Sequence, residues 1–138
     1  MTRVRAYRLL TAVMGALLVV SGLAFFFAFF RYQAPGSTPA IPTGPVGHYF
    51  VAFTGCALVG WGGGLLGAAR DPIAGRAVGT ATALALVLSA VYRMAGWVVG
   101  DYYVWLGDLP RIEAAIFLVL ALLFVWLRPP RAAVVEVA

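Results

Sequence analysis

The hydrophobic pattern of the chain consists of four long apolar stretches separated by short polar segments. The stretches run at about residues 7–30, 47–69, 73–99 and 109–127. A helix needs roughly 20 apolar residues to cross the ~30 Å hydrocarbon core of a bilayer, and each stretch is of that order. The pattern therefore predicts an all-α fold, an integral membrane four-helix transmembrane bundle that takes up residues 1–138 as a single domain.

Composition supports the same interpretation. Hydrophobic residues make up 63% of the chain and charged residues 11%, whereas a soluble domain is about half apolar and about a quarter charged. A soluble chain of 138 residues has no room to bury so much apolar surface, because small domains leave much of their surface in water. We therefore expect a multi-pass protein for which the lipid bilayer is the solvent.

The first stretch also has the layout of a signal peptide, because Arg3, Arg5 and Arg8 precede it. However, its apolar run is longer than the corresponding region of a signal peptide, and no clear small-x-small cleavage site follows it. We expect it to be retained as a membrane anchor.

Arginine positions predict the orientation, because cytoplasmic loops of membrane proteins are enriched in Lys and Arg. All ten basic residues are arginines, a usage typical of a GC-rich bacterial gene. With the N-terminus inside, seven lie on the inner side and Arg31 and Arg111 on the outer side; the inner set is Arg3, Arg5, Arg8, Arg70, Arg76, Arg128 and Arg131. The bias predicts an N-in/C-in protein of the bacterial inner membrane.

The connections between the stretches differ in character. Residues 31–46 contain four prolines and are expected to form an irregular extracytoplasmic loop, whereas residues 129–138 form a short, disordered cytoplasmic tail. Residues 70–72 predict a tight turn in which Pro72 starts the third helix, so the second and third helices should be antiparallel neighbours. Residues 100–110 contain Tyr and Trp side chains that suit the headgroup region on the outer side.

Small residues at four-residue spacing allow helices to approach closely in lipid, where apolar burial gives no advantage over lipid tails. The glycines at such spacing are Gly60, Gly63, Gly64, Gly67, Gly75 and Gly79, and Gly15 and Gly22 repeat at seven residues. Packing inside the bundle and packing against another subunit both account for the pattern. The single cysteine, Cys56, is expected to be a small buried packing residue.

Arg93 is the charged residue that lies deepest in a predicted crossing, seven residues before Gly100. That spacing places it roughly 10 Å from the outer end of its helix. Trp97 is one helical turn away and is expected to stack on the guanidinium. Glu113, at the outer end of the fourth helix, is the expected ion-pair partner. The topology also brings the outer-side residues His48, Tyr92, Asp101 and Asp108 toward this cluster.

Several uses of this cluster remain open. An Arg–Glu clamp that fixes helix register is one, and a site for an anionic lipid headgroup or small anion is a second. A subunit interface, and catalysis or proton transfer, are the others. The sequence contains no GxSxG, HExxH, P-loop, GxGxxG or metal-spaced Cys/His set. We expect no cofactor or metal, and no nucleic-acid binding, because the positive charge forms no basic face.

The second to fourth helices resemble the DUF4345 family of small bacterial membrane proteins. The resemblance rests on residues 55–67, the Arg-Asp-Pro turn at 70–72, and the stretch from Val91 to Trp97 that continues to residues 107–110. It implies four helices with an arginine late in the third, and it implies no activity. The Pro-rich loop at 31–46 departs from the family pattern.

These observations favour a non-enzymatic membrane protein, an accessory or scaffold subunit that packs against a larger membrane complex or against itself. Abundant glycines, few polar residues and the lack of a soluble domain support that interpretation. The alternative is a lipid- or small-anion-binding carrier, or a membrane enzyme, that uses Arg93, Glu113 and His48. A channel is disfavoured because no helix carries a continuous polar stripe.

Overall fold

A computed structural model of the protein describes residues 2–34, 36, 44–100 and 106–130. In this part the chain is all helical: α1 spans Arg3–Gln33, α2 spans Gly44–Arg70, α3 spans Arg76–Val99 and α4 spans Leu109–Leu127. Each helix is long and apolar enough to cross a membrane. The all-α fold and the four candidate spans are confirmed. Most of the predicted Pro-rich loop, residues 101–105 of the outer connection and residues 131–138 of the tail lie outside the described residues.

The start of α3 differs from the prediction. Asp71 follows α2, and its Oδ1 accepts hydrogen bonds from the backbone N–H groups of Ile73 at 3.2 Å and Ala74 at 3.1 Å. The N–H of Gly75 also donates to the Asp71 carbonyl at 2.9 Å. These bonds hold residues 72–75 in a turn, so Pro72 does not start the helix and α3 begins at Arg76.

The four helices form two pairs. α1 packs along α2 and α3 packs along α4, whereas contacts between the two pairs are sparse. α2 and α3 do touch, but the main partner of α2 is α1. The predicted contact between α2 and α3 is therefore present but small, because the turn brings only their ends together.

Two glycine pairs bring α1 and α2 into backbone contact. A Cβ atom added at Gly62 would lie 2.6 Å from the Gly15 carbonyl oxygen, and one added at Gly55 would lie 2.6 Å from the Gly22 carbonyl oxygen. Gly15 contacts Gly62, and Gly22, further along α1, contacts Gly55, which is earlier in α2. The two helices are therefore antiparallel. The seven-residue spacing is the same on both helices, and it places both glycines of each helix on one face.

The hydrophobic core lies near the turn at residues 71–75, at what we call the turn end of the bundle. It is built around Tyr7, Leu65, Ala83, Leu86, Ala121 and Phe124. The rings of Tyr7 and Phe124 meet edge to face with centroids 6.3 Å apart, a geometry that contributes about 0.5–1.5 kcal/mol beyond burial. The opposite end, where α1 and α3 end and α2 and α4 begin, is called the loop end.

Hydrogen bonds also connect the two pairs toward the turn end. The Trp61 Nε1 donates to the Thr82 hydroxyl at 2.9 Å, which links α2 to α3. Arg3 donates through Nε and Nη2 to the carbonyl of Trp126 at 2.9 and 2.5 Å, which links the start of α1 to the end of α4. Such a cation also suits the partial negative charge of a helix C-terminus. The turn end is therefore where all four helices are joined.

Candidate functional site

The Arg93 and Glu113 side chains meet between α3 and α4 near the loop end. Arg93 Nε lies 3.0 Å from Glu113 Oε2. The helices come close enough for this contact because the residues packed beside it are alanines: Ala90 on α3 and Ala114 on α4 are almost fully buried. The ion pair expected from the sequence is therefore present in the described structure.

The contact is an ion pair with poor hydrogen-bond alignment. Glu113 Oε2 is shielded from solvent and accepts no hydrogen bond among the described residues, although it is close to Arg93. The side chains are 38% and 29% exposed. Removing one partner leaves a partly shielded charge uncompensated, and that loss costs more than the small net stability of an exposed pair. This geometry suits a clamp that fixes the register of α3 against α4.

Trp97 contacts a different cation from the one predicted. The Arg111 guanidinium carbon lies 5.4 Å from the Trp97 ring centroid, whereas no stacking of Arg93 on this ring is described. Arg111 also approaches Asp108, with Nη2 3.4 Å from Oδ1. The reason is topological, since Arg111 follows Pro110 at the start of α4 and faces the last turn of α3. Asp108 therefore pairs with Arg111 and does not join Arg93.

A small pocket adjoins the ion pair. Its volume is about 100 Å³, and its lining combines polar and apolar residues: Tyr92, Arg93, Gly96, Trp97, Leu106 and Pro110. The Trp97 Nε1 is shielded and has no hydrogen-bond partner within the described ranges. The pocket thus places an arginine and an unsatisfied indole N–H beside a space of small-ligand size.

His48 lies in the other helix pair. Its buried ring stacks on Tyr32 of α1, with centroids 5.1 Å apart and an interplanar angle of 27°. No contact in the described ranges joins His48 to Arg93 or Glu113, so its predicted convergence on that pair stays a prediction. The contacts between the α1–α2 pair and the α3–α4 pair are sparse. Asp101, the remaining candidate, lies outside the described residues.

The glycines of α2 divide between two opposite faces. Gly55 and Gly62, which were not singled out from the sequence, form the contact with α1. The predicted packing glycines of α2 point away from it and are exposed; we call Gly60, Gly63, Gly64 and Gly67 the α2 glycine face. A Cβ atom added at Gly60, Gly63 or Gly67 would meet nothing within 4 Å. Cys56 is exposed on the same side, so its expected burial is also wrong.

Gly75 and Gly79 both lie at close contacts at the turn end. A Cβ atom added at Gly75 would lie 2.5 Å from the Ala68 Cα, and one added at Gly79 would overlap the Tyr7 hydroxyl. Tyr7 itself donates from its hydroxyl to the Gly75 carbonyl at 3.4 Å. These two glycines serve packing inside the bundle, in contrast to the α2 glycine face.

The described residues include no group of three or more His, Cys, Asp or Glu side chains placed to hold a metal ion. Comparison of the chain with protein-family models, curated proteins and solved structures gives no match. The resemblance to the DUF4345 family therefore stays a prediction. The geometry defines an all-helical protein of two packed helical pairs, with the Arg93–Glu113 ion pair in one and an exposed glycine face on the other.

Proposed function

We propose that the protein is a non-enzymatic accessory or scaffold subunit of the bacterial inner membrane, which packs against another membrane protein chain or a second copy of itself. The observation that carries this proposal is the exposed α2 glycine face. Gly60, Gly63, Gly64 and Gly67 are exposed on one side of α2. A Cβ atom added at Gly64 would lie 3.8 Å from Val78 of α3, whereas one added at Gly60, Gly63 or Gly67 would meet nothing within 4 Å in the described structure. A partner helix packed against this face explains why a long helix contains so many exposed glycines.

The energetics of glycine support this assignment. Glycine costs about 1 kcal/mol relative to alanine in a helix interior. The exposed glycines therefore weaken α2, and Gly60, Gly63 and Gly67 gain no packing in return from the described residues. In lipid, such small-residue faces allow two helix backbones to approach and gain van der Waals contact. The Gly15–Gly62 contact shows how closely this chain packs helices where glycines face each other.

The remaining features fit the same role. The arginine bias favours an N-in/C-in arrangement, which places the turn end on the cytoplasmic side. The Arg93–Glu113 ion pair then lies toward the outer side and fixes α3 against α4, leaving α2 to present its glycine face laterally to the bilayer. None of these roles requires a substrate or a cofactor.

The test is extraction in a gentle detergent followed by measurement of the assembly mass. The wild-type chain should migrate as a defined assembly with a stoichiometric partner, or as a defined oligomer. Gly63→Leu should convert it to a monomer that keeps its helical content, because leucine blocks close approach. Ala115→Leu, an exposed site on α4, is the matched control and should leave the assembly intact. A wild-type monomer without partners would contradict the proposal.

A second candidate function is binding of a small anion in the pocket beside Arg93. The observation that favours it is the shielded Trp97 Nε1, a donor with no described partner next to an arginine. If the pocket binds inorganic phosphate, phosphate titration should change the tryptophan fluorescence, and Trp97→Phe should weaken the titrated affinity. Trp126→Phe, an exposed tryptophan at the other end of the bundle, is the control. No saturable titration would exclude phosphate as the ligand.

A further inference from the structure

A long apolar groove runs between α3 and α4. At the turn end it has a volume of about 510 Å³, and Thr80 is the one polar residue among those that line it: Thr80, Ala83, Leu84, Val87, Leu118, Ala121, Leu122 and Val125. Ala83 and Ala121 are buried and form its floor, while the larger residues are exposed and form its walls. Small side chains on the floor and larger branched side chains on the walls make the groove narrow along the helices.

The groove continues toward the loop end. A second apolar depression of about 430 Å³ follows it and shares Leu118 with it; the rest of its lining is Ala90, Val91, Met94, Ala95, Val98 and Val99. Together the two depressions extend from Thr80 to Val99, a rise of 19 residues or roughly 30 Å along α3. The acyl chains of one leaflet reach about half of the ~30 Å hydrocarbon core, so a chain that enters at the turn end would fill the turn-end half of this groove.

An arginine is fixed at the turn-end mouth of the groove. Arg128 directly follows α4, and its Nη1 donates to the Thr80 hydroxyl at 3.0 Å. Thr80 in turn donates to the carbonyl of Arg76 at 3.0 Å. A guanidinium has five N–H donors, so one bond to Thr80 leaves others for a ligand at the mouth.

No carboxylate neutralises Arg128 in the described ranges. The ion pairs described there, Arg93–Glu113 and Arg111–Asp108, both lie toward the loop end. Asp71 is the acidic residue described at the turn end, and its Oδ1 accepts two backbone N–H bonds of the turn. The mouth of an apolar groove therefore carries a positive charge that no carboxylate of the described ranges pairs with.

We infer that this groove binds an anionic phospholipid, with an acyl chain between α3 and α4 and the phosphate on Arg128. Charge complementarity selects this occupant: a helix of another protein would fill the groove but leave Arg128 without an anion. A guanidinium is well suited to hold two phosphate oxygens at once. The turn end is also the side predicted to face the cytoplasmic leaflet, where anionic lipids are concentrated. The inference is independent of any partner on the α2 glycine face.

The first experiment compares Arg128→Gln with Arg70→Gln, which removes the same charge at the same end but from α2. Full-length protein in detergent micelles is titrated with phosphatidylglycerol or phosphatidylcholine, and bound lipid is counted by native mass spectrometry. Wild type should retain phosphatidylglycerol over phosphatidylcholine, Arg128→Gln should weaken retention about tenfold or more, and Arg70→Gln should change it less than about twofold. Equal losses in both variants, or no preference in the wild type, would overturn the inference.

The second experiment tests the acyl-chain part without altering any charge. Val87→Trp fills the groove, whereas Val20→Trp places the same side chain on an exposed site of α1 outside it. Val87→Trp should abolish the preference for phosphatidylglycerol and Val20→Trp should keep it. If both variants retain the lipid equally, the chain does not lie in this groove. If inorganic phosphate at millimolar concentration displaces the lipid completely, the site recognises only the phosphate group. The inference that the groove binds the acyl chain would then be wrong.

Discussion

The contact between Gly15 and Gly62 offers a sharp test of how α1 and α2 are held together. The comparison is Gly62→Ala against Gly63→Ala, two adjacent substitutions of which only the first faces α1. At Gly62 the new Cβ would lie 2.6 Å from the Gly15 oxygen and 2.9 Å from the Val19 nitrogen, where ordinary contact begins near 3.4 Å. At Gly63 it would meet nothing within 4 Å.

The expected difference follows from these distances. Both substitutions gain up to about 1 kcal/mol of helix propensity, so that contribution cancels between them. Gly62→Ala must push two backbones apart, since neither neighbouring atom belongs to a flexible side chain, and overpacking of this kind costs about 1–3 kcal/mol. Gly62→Ala should therefore be less stable than Gly63→Ala by about 1–3 kcal/mol, and Gly63→Ala should be as stable as the wild type or slightly more so.

The assay is reversible unfolding of the purified protein in mixed micelles of rising denaturing-detergent fraction, followed by circular dichroism. Measurements should be made on the monomeric state, because partner binding on the α2 glycine face would add its own dependence on Gly63. Equal stabilities of the two alanine variants would refute the packing assignment of Gly62. A loss at Gly63 in the monomer would show that the α2 glycine face is covered within the chain.

Three further predictions concern the other contacts. The single charge reversals Arg93→Glu and Glu113→Arg should each lower the free energy of unfolding by about 1–3 kcal/mol. The double variant that carries both reversals should recover much of that loss. No recovery would mean that the two side chains do not form a stabilising pair. Gly79→Ala should lower the melting temperature of the protein in detergent, because the new Cβ overlaps the Tyr7 hydroxyl. Adding Tyr7→Phe to the same chain should restore part of that loss. Losses in melting temperature that simply add in the double variant would argue against the overlap. Thr82→Val should lower the free energy of unfolding by about 1–3 kcal/mol in the same assay, because it leaves the Trp61 indole N–H without its acceptor. An unchanged stability would mean that this hydrogen bond does not help to hold the helix pairs together.

Helix positions could be predicted from the sequence because apolar length is a strong signal. The fourth stretch, 109–127, matches α4 residue for residue, and the others differ by four residues or fewer at each end. The start of α3 was missed because a proline after an Asp fits both a helix start and a turn. The hydrogen bonds that Asp71 accepts from Ile73 and Ala74 stabilise a turn at this point of the chain.

Helix pairing was harder to predict, because these helices are apolar on nearly every face. A soluble helix shows its packing side through polar residues opposite, but lipid removes that contrast. The four-residue glycine spacing therefore drew attention to Gly60, Gly63, Gly64 and Gly67, which are exposed. The informative signal was the shared seven-residue spacing of Gly15–Gly22 and Gly55–Gly62 on consecutive helices.

The candidate site shows the same division between local and long-range inference. The pairing of Arg93 with Glu113 could be predicted because a short connection makes α3 and α4 adjacent. The placement of His48 could not, since it depends on how two helix pairs meet. The position of Arg111 over Trp97 also depends on the angle at which the chain enters α4.

The order of helix pairing has a consequence for how the protein is made. Because α1 and α2 are consecutive, both are synthesised, with all the glycines of their contacts, before α3. The first hairpin can therefore close while translation continues, and α3 and α4 form a second local hairpin around Arg93 and Glu113. Final assembly then joins two preformed units through Tyr7, Trp61 and their partners. Two separately expressed halves, divided in the turn at residues 71–75, should for this reason reassemble in one membrane.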